Sequence, residues 1–145
     1  MNSYLIIEDY LKNNKKIFFD MQELNNLNDK INNLSSKKIN LDYFNEQRRH
    51  LIKKMNCSNF IKNNSPILKS ECNKNIYDFH GCITINLYDI LDAIFDYQYE
   101  IIEKNFNLNF GNGHILKPKI LRYLDEYSIK YKFINKGFVE IINYE

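Results

Sequence analysis

Asn75-Ile76-Tyr77-Asp78-Phe79-His80-Gly81 is the stretch on which the reading of this 145-residue chain turns. Its first five residues have the composition of a short strand, with Ile, Tyr and Phe set between asparagine and glycine. Side chains two apart on a strand share a face, so Asp78 and His80 are expected side by side. Gly81 allows a sharp exit, and Thr84 is placed to cap the helix that follows. Further along, Gly111-Asn112-Gly113-His114 follows a second strand-like run and precedes another helical pattern, a setting in which backbone N–H groups gather around an anion. A carboxylate, an imidazole and a glycine loop in this order suggest chemistry on a phosphodiester.

Working outward, strands and helices alternate from Asn75 onward. A first helix is expected over 85–104, with Leu87, Ile90, Leu91, Ile94, Phe95, Gln98, Ile101 and Ile102 at helical spacing. The alternating Phe106-Asn107-Leu108-Asn109-Phe110 reads as the second strand. A second helix starts near Lys117-Pro118, where proline suits a first turn, and turns Ile120, Leu121, Leu124 and Tyr127 inward. Two closing strands, 131–134 and 138–142, are joined by the hairpin signal Asn135-Lys136-Gly137. The order β-α-β-α-β-β predicts an α/β fold, a two-layer sandwich of a small sheet with two helices, preceded by an α-helical N-terminal extension.

That extension covers 1–64 and reads as a helical hairpin. Residues 4–34 form one or two helices with a narrow apolar stripe at Phe18, Met21, Leu24, Leu27, Ile31 and Leu34, exposed except for one docking edge. Ser35-Ser36-Lys37-Lys38 is a turn signal. The next helix, 41–61, is expected to turn Phe44, Leu51 and Met55 inward and to carry Arg48, Arg49, Lys53 and Lys54 on a basic side that includes His50. Residues 65–74 are the linker and 75–145 the α/β unit. The net charge of +2 is uneven: residues 1–74 hold 13 Lys and Arg against 8 Asp and Glu, whereas 75–145 hold 7 against 10. A basic extension beside a mildly acidic unit fits docking on nucleic acid, as it fits a solvated helical face. The 23 asparagines read as compositional drift.

Three cysteines without a C-x-x-C spacing point to reduced thiols rather than disulfides or zinc. No apolar run approaches the ~20 residues of a membrane span. The first residues meet acid too early for a secretory signal. The expected location is the cytoplasm, with the nucleus as the alternative, and no membrane partner.

The order of elements, Asp78-Phe79-His80-Gly81 ahead of the first helix of the α/β unit, Gly111-x-Gly113 after the second strand, and the closing hairpin together resemble the Smr (small MutS-related) domain over 75–145. Ile115-Leu116-Lys117-Pro118-Lys119-Ile120 resembles the Lys-Pro helix start of its eukaryotic branch. In that branch a helical extension sits directly before the domain, as residues 38–64 loosely do. The resemblance implies an endonuclease acting on nucleic acid. RNA is preferred over DNA, and the ribosome is among the expected partners. Motif residues that match are Asp78, His80, Gly111 and Gly113. Phe110 departs from the pattern, because the family often places His or Thr there; His114 lies close enough to stand in.

The expected catalytic set is therefore Asp78, His80 and His114. The expected phosphate-binding set is Gly111, Asn112, Gly113, Lys117, Lys119, Arg122, Arg48 and Arg49. No cofactor is fixed by the residues; Mg or Mn is the candidate metal, with Asp78 either binding it or orienting the imidazole. The plainer alternatives are that Asp78 caps a loop, that His80 packs on the following helix and that the glycines serve only a tight turn. Tyr77 and Tyr88, if exposed, could stack on bases. Two other functions fit the same residues: a catalytically inactive RNA- or ribosome-binding module, and a protein–protein adaptor docking through the N-terminal helices. On the adaptor reading, 75–145 should stay folded after deletion of 1–64.

Overall fold

The computed structural model describes residues 2–13, 25–26, 29–30, 32–33, 41–64, 76–101, 105–111 and 113–142. The fold is mixed α/β, with helices, a four-stranded sheet and a helix at the N-terminal side. In chain order the elements are α1 (Ser3–Lys12), α2 (Leu41–Asn64), β1 (Ile76–Asp78), α3 (Leu87–Ile101), β2 (Asn105–Asn109), α4 (Leu116–Glu126), β3 (Tyr131–Asn135) and β4 (Phe138–Ile142). The stripe from Phe18 to Leu34, the Ser35–Lys38 turn and the 65–74 linker lie outside the described residues.

The sheet order is β1-β2-β4-β3. β1 and β2 are parallel, and the two other pairings are antiparallel. Parallel neighbours need a crossover, which α3 provides. Tyr77, Phe106, Leu108, Val139 and Ile141 are buried on one side of the sheet, as alternation along a strand requires. Against them pack Leu87, Ile90, Leu91, Ile94 and Phe95 from α3 and Ile120, Tyr123 and Leu124 from α4, all in one continuous core. α3 begins at Leu87, so Thr84 does not cap it directly; the Thr84 carbonyl instead accepts the Leu87 N–H in the turn before the helix. On α4, Tyr127 is exposed rather than inward, and Leu116 and Tyr123 are buried instead.

The same core takes Ile7, Tyr10 and Leu11 from α1 and Cys57, Phe60 and Ile61 from α2. α1 starts at Asn2, whose side chain accepts the Tyr4 N–H at 2.7 Å, and its buried positions Ser3, Ile7, Tyr10 and Leu11 recur at helical spacing. The Tyr4 hydroxyl donates to Asp96 on α3 at 2.6 Å, and that bond is the main reason its pKa is raised. On α2 the expected inward residues Leu51 and Met55 are only half-buried. The fully covered face is Asn56, Cys57, Phe60, Ile61 and Asn64. Apolar periodicity misplaces this face because two of its five members are asparagines. The Phe60 ring sits 5.3 Å from Phe79 and 6.5 Å from Tyr77, so α2 is packed on β1 itself. The expectation that 75–145 folds without 1–64 is at odds with this shared core.

Candidate active site

β1 and β2 run parallel with Asp78 opposite Asn109, so both strands end at the same edge of the molecule. The Phe79 N–H donates to the Asn109 carbonyl at 2.8 Å and carries the pairing one residue further. Each strand then delivers its following loop to one place, 79–84 from β1 and 110–115 from β2. Phe79 and Phe110 turn inward and are buried. The chain next turns at Gly81 (φ 76°) and at Gly111 (φ 69°), a backbone conformation that strains any residue with a Cβ.

Between the loops lies an open cleft of about 590 Å³. His80, Gly81, Cys82, Ile83 and Thr84 line one wall, and Gly111, Gly113, His114 and Ile115 the other. Both imidazoles are on exposed residues. The rim is apolar where Ile83 and Ile115 stand, the latter 73% exposed.

Asp78 does not line this cleft. Its carboxylate Oδ1 accepts the backbone N–H of His80 at 2.9 Å and closes a turn. The charge of Asp78 also reaches Cys82, whose thiol is pushed up to about 12, chiefly by burial and then by that carboxylate. That shift favours the neutral thiol over the thiolate at Cys82.

What holds the first loop is a set of asparagines on α2 that sequence reasoning passed over. Asn64 donates to the Asp78 carbonyl at 3.0 Å and accepts the Asp78 N–H at 2.9 Å. Its amide thus takes the place of a neighbouring strand at the edge of β1. Asn63 donates to the His80 carbonyl. Asn56 does to Ile83 what Asn64 does to Asp78, donating to its carbonyl at 2.9 Å and accepting its N–H at 2.8 Å. It also donates to the Asn86 side chain at 2.6 Å. Asn86 in turn bonds the Ser3 hydroxyl and the Lys53 carbonyl. The available signal was positional: Asn56, Asn63 and Asn64 share one helical face with Phe60.

The second loop is held by the hairpin. The N–H groups of Phe110 and Gly111 both donate to the Gly137 carbonyl, at 2.9 and 3.1 Å. A Cβ on Gly137 would lie 2.5–2.7 Å from the Gly111 backbone, so glycine here serves a close approach. The Gly111 N–H is consequently engaged with protein and is not aimed at an anion. Gly113 has neither positive φ nor a crowding neighbour.

The remaining expected residues are placed as follows. Asn112 lies outside the described residues. Lys117 sits over the Phe133 ring at 5.3 Å, a cation–π contact directed at β3. Lys119 and Arg122 are exposed on α4. Arg48 and Arg49 are exposed on α2, roughly 20 Å along the helix axis from Asn63 at 1.5 Å per residue. No lysine or arginine is among the described residues lining the cleft. The positive end of α4 does open onto it: Ile115 precedes the helix without a side-chain cap bond, and Ile115 and Leu116 both line the cleft. Tyr77 is fully buried beneath the sheet and accepts from Gln98; Tyr88 packs edge-on to Tyr123. Neither is a base-stacking platform. Among the described residues no group of three or more His, Cys, Asp or Glu is placed to hold a metal ion, and none of the described helices is long and apolar enough to cross a membrane. Comparison with protein-family models, with curated proteins and with solved structures finds no match.

Proposed function

We propose that the protein is an Smr-type endonuclease that cuts RNA, a two-layer β-α-β-α-β-β unit with α1 and α2 built onto it. The observation that carries this reading is the meeting of His80 and His114 across one open cleft at the ends of parallel strands. RNA cleavage needs a base to take the 2′-hydroxyl proton and an acid to protonate the departing 5′-oxygen. Two imidazoles on opposite walls supply both, one neutral and one protonated. The 2′-oxygen attacks the adjacent phosphorus and the P–O5′ bond breaks. A 2′,3′-cyclic phosphate and a 5′-hydroxyl result, and the two imidazoles exchange protonation states. Charge on the phosphoryl oxygens is offset by the N-terminal end of α4, equivalent to roughly half a positive charge. Asp78 acts as a positioning residue, fixing the backbone on which His80 is carried.

The test is incubation with 5′-labelled RNA, with and without Mg²⁺ or Mn²⁺. His80→Ala and His114→Ala should each lower the rate about 10²–10⁴-fold while far-UV circular dichroism is unchanged. A 2′-deoxy substitution at the scissile position should abolish the product. Wild-type rates in His80→Ala would remove that residue from the mechanism.

A second reading, an RNA- or ribosome-binding module without catalysis, is favoured by Phe110, which is buried at the start of the second loop and can carry no proton, and by the exposed Arg48 and Arg49 of α2. It expects bound RNA and no product under any metal condition. The adaptor reading loses part of its basis, because the apolar side of α1 is buried in the core.

A further inference from the structure

A second concavity, of about 490 Å³, lies where α1, α2 and α3 meet; His50, Lys53 and Lys54 contribute to it from α2, Asn2 and Ser3 from the start of α1, and Asp89 from α3. Lys53 and Lys54 outnumber the single carboxylate. On α2 Arg49 stands four residues before Lys53, and His50 four before Lys54. The like-charged pair Arg49–Lys53 on one helical face is mildly destabilising, so local helix stability does not account for it.

The notch is joined to the cleft through a chain of contacts. Ile83, on the cleft wall, is held by Asn56. Asn56 bonds Asn86, and Asn86 bonds the Lys53 carbonyl. Along α2, Lys53 is ten residues from Asn63, the residue that holds His80, or about 15 Å at the helical rise.

We infer that the His50–Lys53–Lys54 notch binds a backbone phosphate of the RNA strand whose scissile bond lies in the His80–His114 cleft. The inference rests on the proposed nuclease reading for its ligand. It supplies the cations that the cleft lining lacks, and it makes substrate length a determinant of affinity.

The experiment uses the full chain and three proteins: wild type, K53Q/K54Q, and the charge-matched control K130Q/K132Q, whose lysines are exposed around β3. Binding of a labelled single-stranded 12-mer RNA, uncleavable because it is 2′-O-methylated, is measured across salt concentrations. Cleavage of a dinucleotide, too short to reach the notch, is measured in parallel. In K53Q/K54Q the slope of log K against log salt should fall by about 0.7, the single-strand value for one neutralised phosphate. Affinity should fall correspondingly, and dinucleotide cleavage and the urea midpoint should stay as in wild type. Equal slopes in the variant and the control overturn the notch and leave the nuclease reading standing. Slope loss in a protein that cuts no substrate keeps the notch and overturns the nuclease reading. Wild-type protein that fails to bind the 12-mer overturns the notch outright.

Discussion

The two loops that meet at the cleft begin alike and are held differently. Each follows a parallel strand, opens on a buried phenylalanine and turns at a glycine of positive φ. The loop after β1 is fastened at three points, Asp78, His80 and Ile83, by Asn64, Asn63 and Asn56 of α2. Among the described residues the loop after β2 is fastened at its root, by the Gly137 carbonyl. Among the described residues no side chain hydrogen-bonds to Gly113, His114 or Ile115. One wall of the cleft is therefore pre-set by a helix far away in sequence. The other depends on the close approach of two glycines. His80 is carried on the loop held by α2 side chains and His114 on the loop held by the hairpin.

The comparison can be tested from its strongest consequence downward. Deleting 1–64 removes Ile7, Tyr10, Leu11, Cys57, Phe60 and Ile61 from the shared core together with all three asparagine clamps. Loss of Phe60 alone should cost about 3–5 kcal/mol, and total stability is only about 5–15 kcal/mol. The truncated chain should show no cooperative thermal transition; a sharp melt would mean that the first loop does not depend on α2. Next in size, Asn56→Ala and Asn64→Ala each strand a backbone N–H and a carbonyl in partly buried surroundings, at a cost of about 1–3 kcal/mol by urea denaturation. Asn63→Ala, at an exposed bond, should cost less than either. If Asn63→Ala proves the most damaging, the edge-pairing role given to Asn64 is wrong.

On the second loop, Gly137→Ala forces a methyl group against the Gly111 backbone and should cost about 1–3 kcal/mol. Gly113→Ala, with open space around it, should stay within about 0.5 kcal/mol. Equal effects would remove the hairpin as the anchor of this loop. The smallest expected effect is alkaline. The Cys82 thiol is raised from its ordinary 9.0 to about 12 in the folded chain, so above pH 9 the unfolded chain loses this proton first. The stability it contributes is complete below pH 9 and is lost as pH rises towards 12. Urea midpoints of wild type should fall faster between pH 8 and 10 than those of Cys82→Ala, and parallel curves would show that Cys82 is not the linked group.

Much of the α/β half was legible in the residues themselves. Alternation in Phe106–Phe110, helical spacing from Leu87 to Gln98 and the Asn135-Lys136-Gly137 turn are local signals, because strand, helix and hairpin are each set by neighbours within a few residues. The glycine exits at Gly81 and Gly111 were legible for the same reason, whereas the meeting of His80 with the second loop depends on the parallel pairing of β1 and β2. The asparagines were not. In composition Asn56, Asn63 and Asn64 look no different from the rest of the 23, and what separates them is the backbone they face. Likewise Gly137 reads as an ordinary hairpin glycine until Gly111 is seen against it.

The sequence by itself determined the mix of helices with a small sheet and the two glycine exits, since these follow from periodicity and from the steric freedom of single residues. Only the tertiary structure decided that α2 packs on β1, that Asp78 closes a turn rather than facing the cleft, and that Lys53 and Lys54 share a notch with the start of α1. The physical reason is that an amide, a carboxylate or an ammonium group acquires its role from the partner that replaces its water. For these groups the partner lies on an element distant in the chain or in the exact path of the backbone.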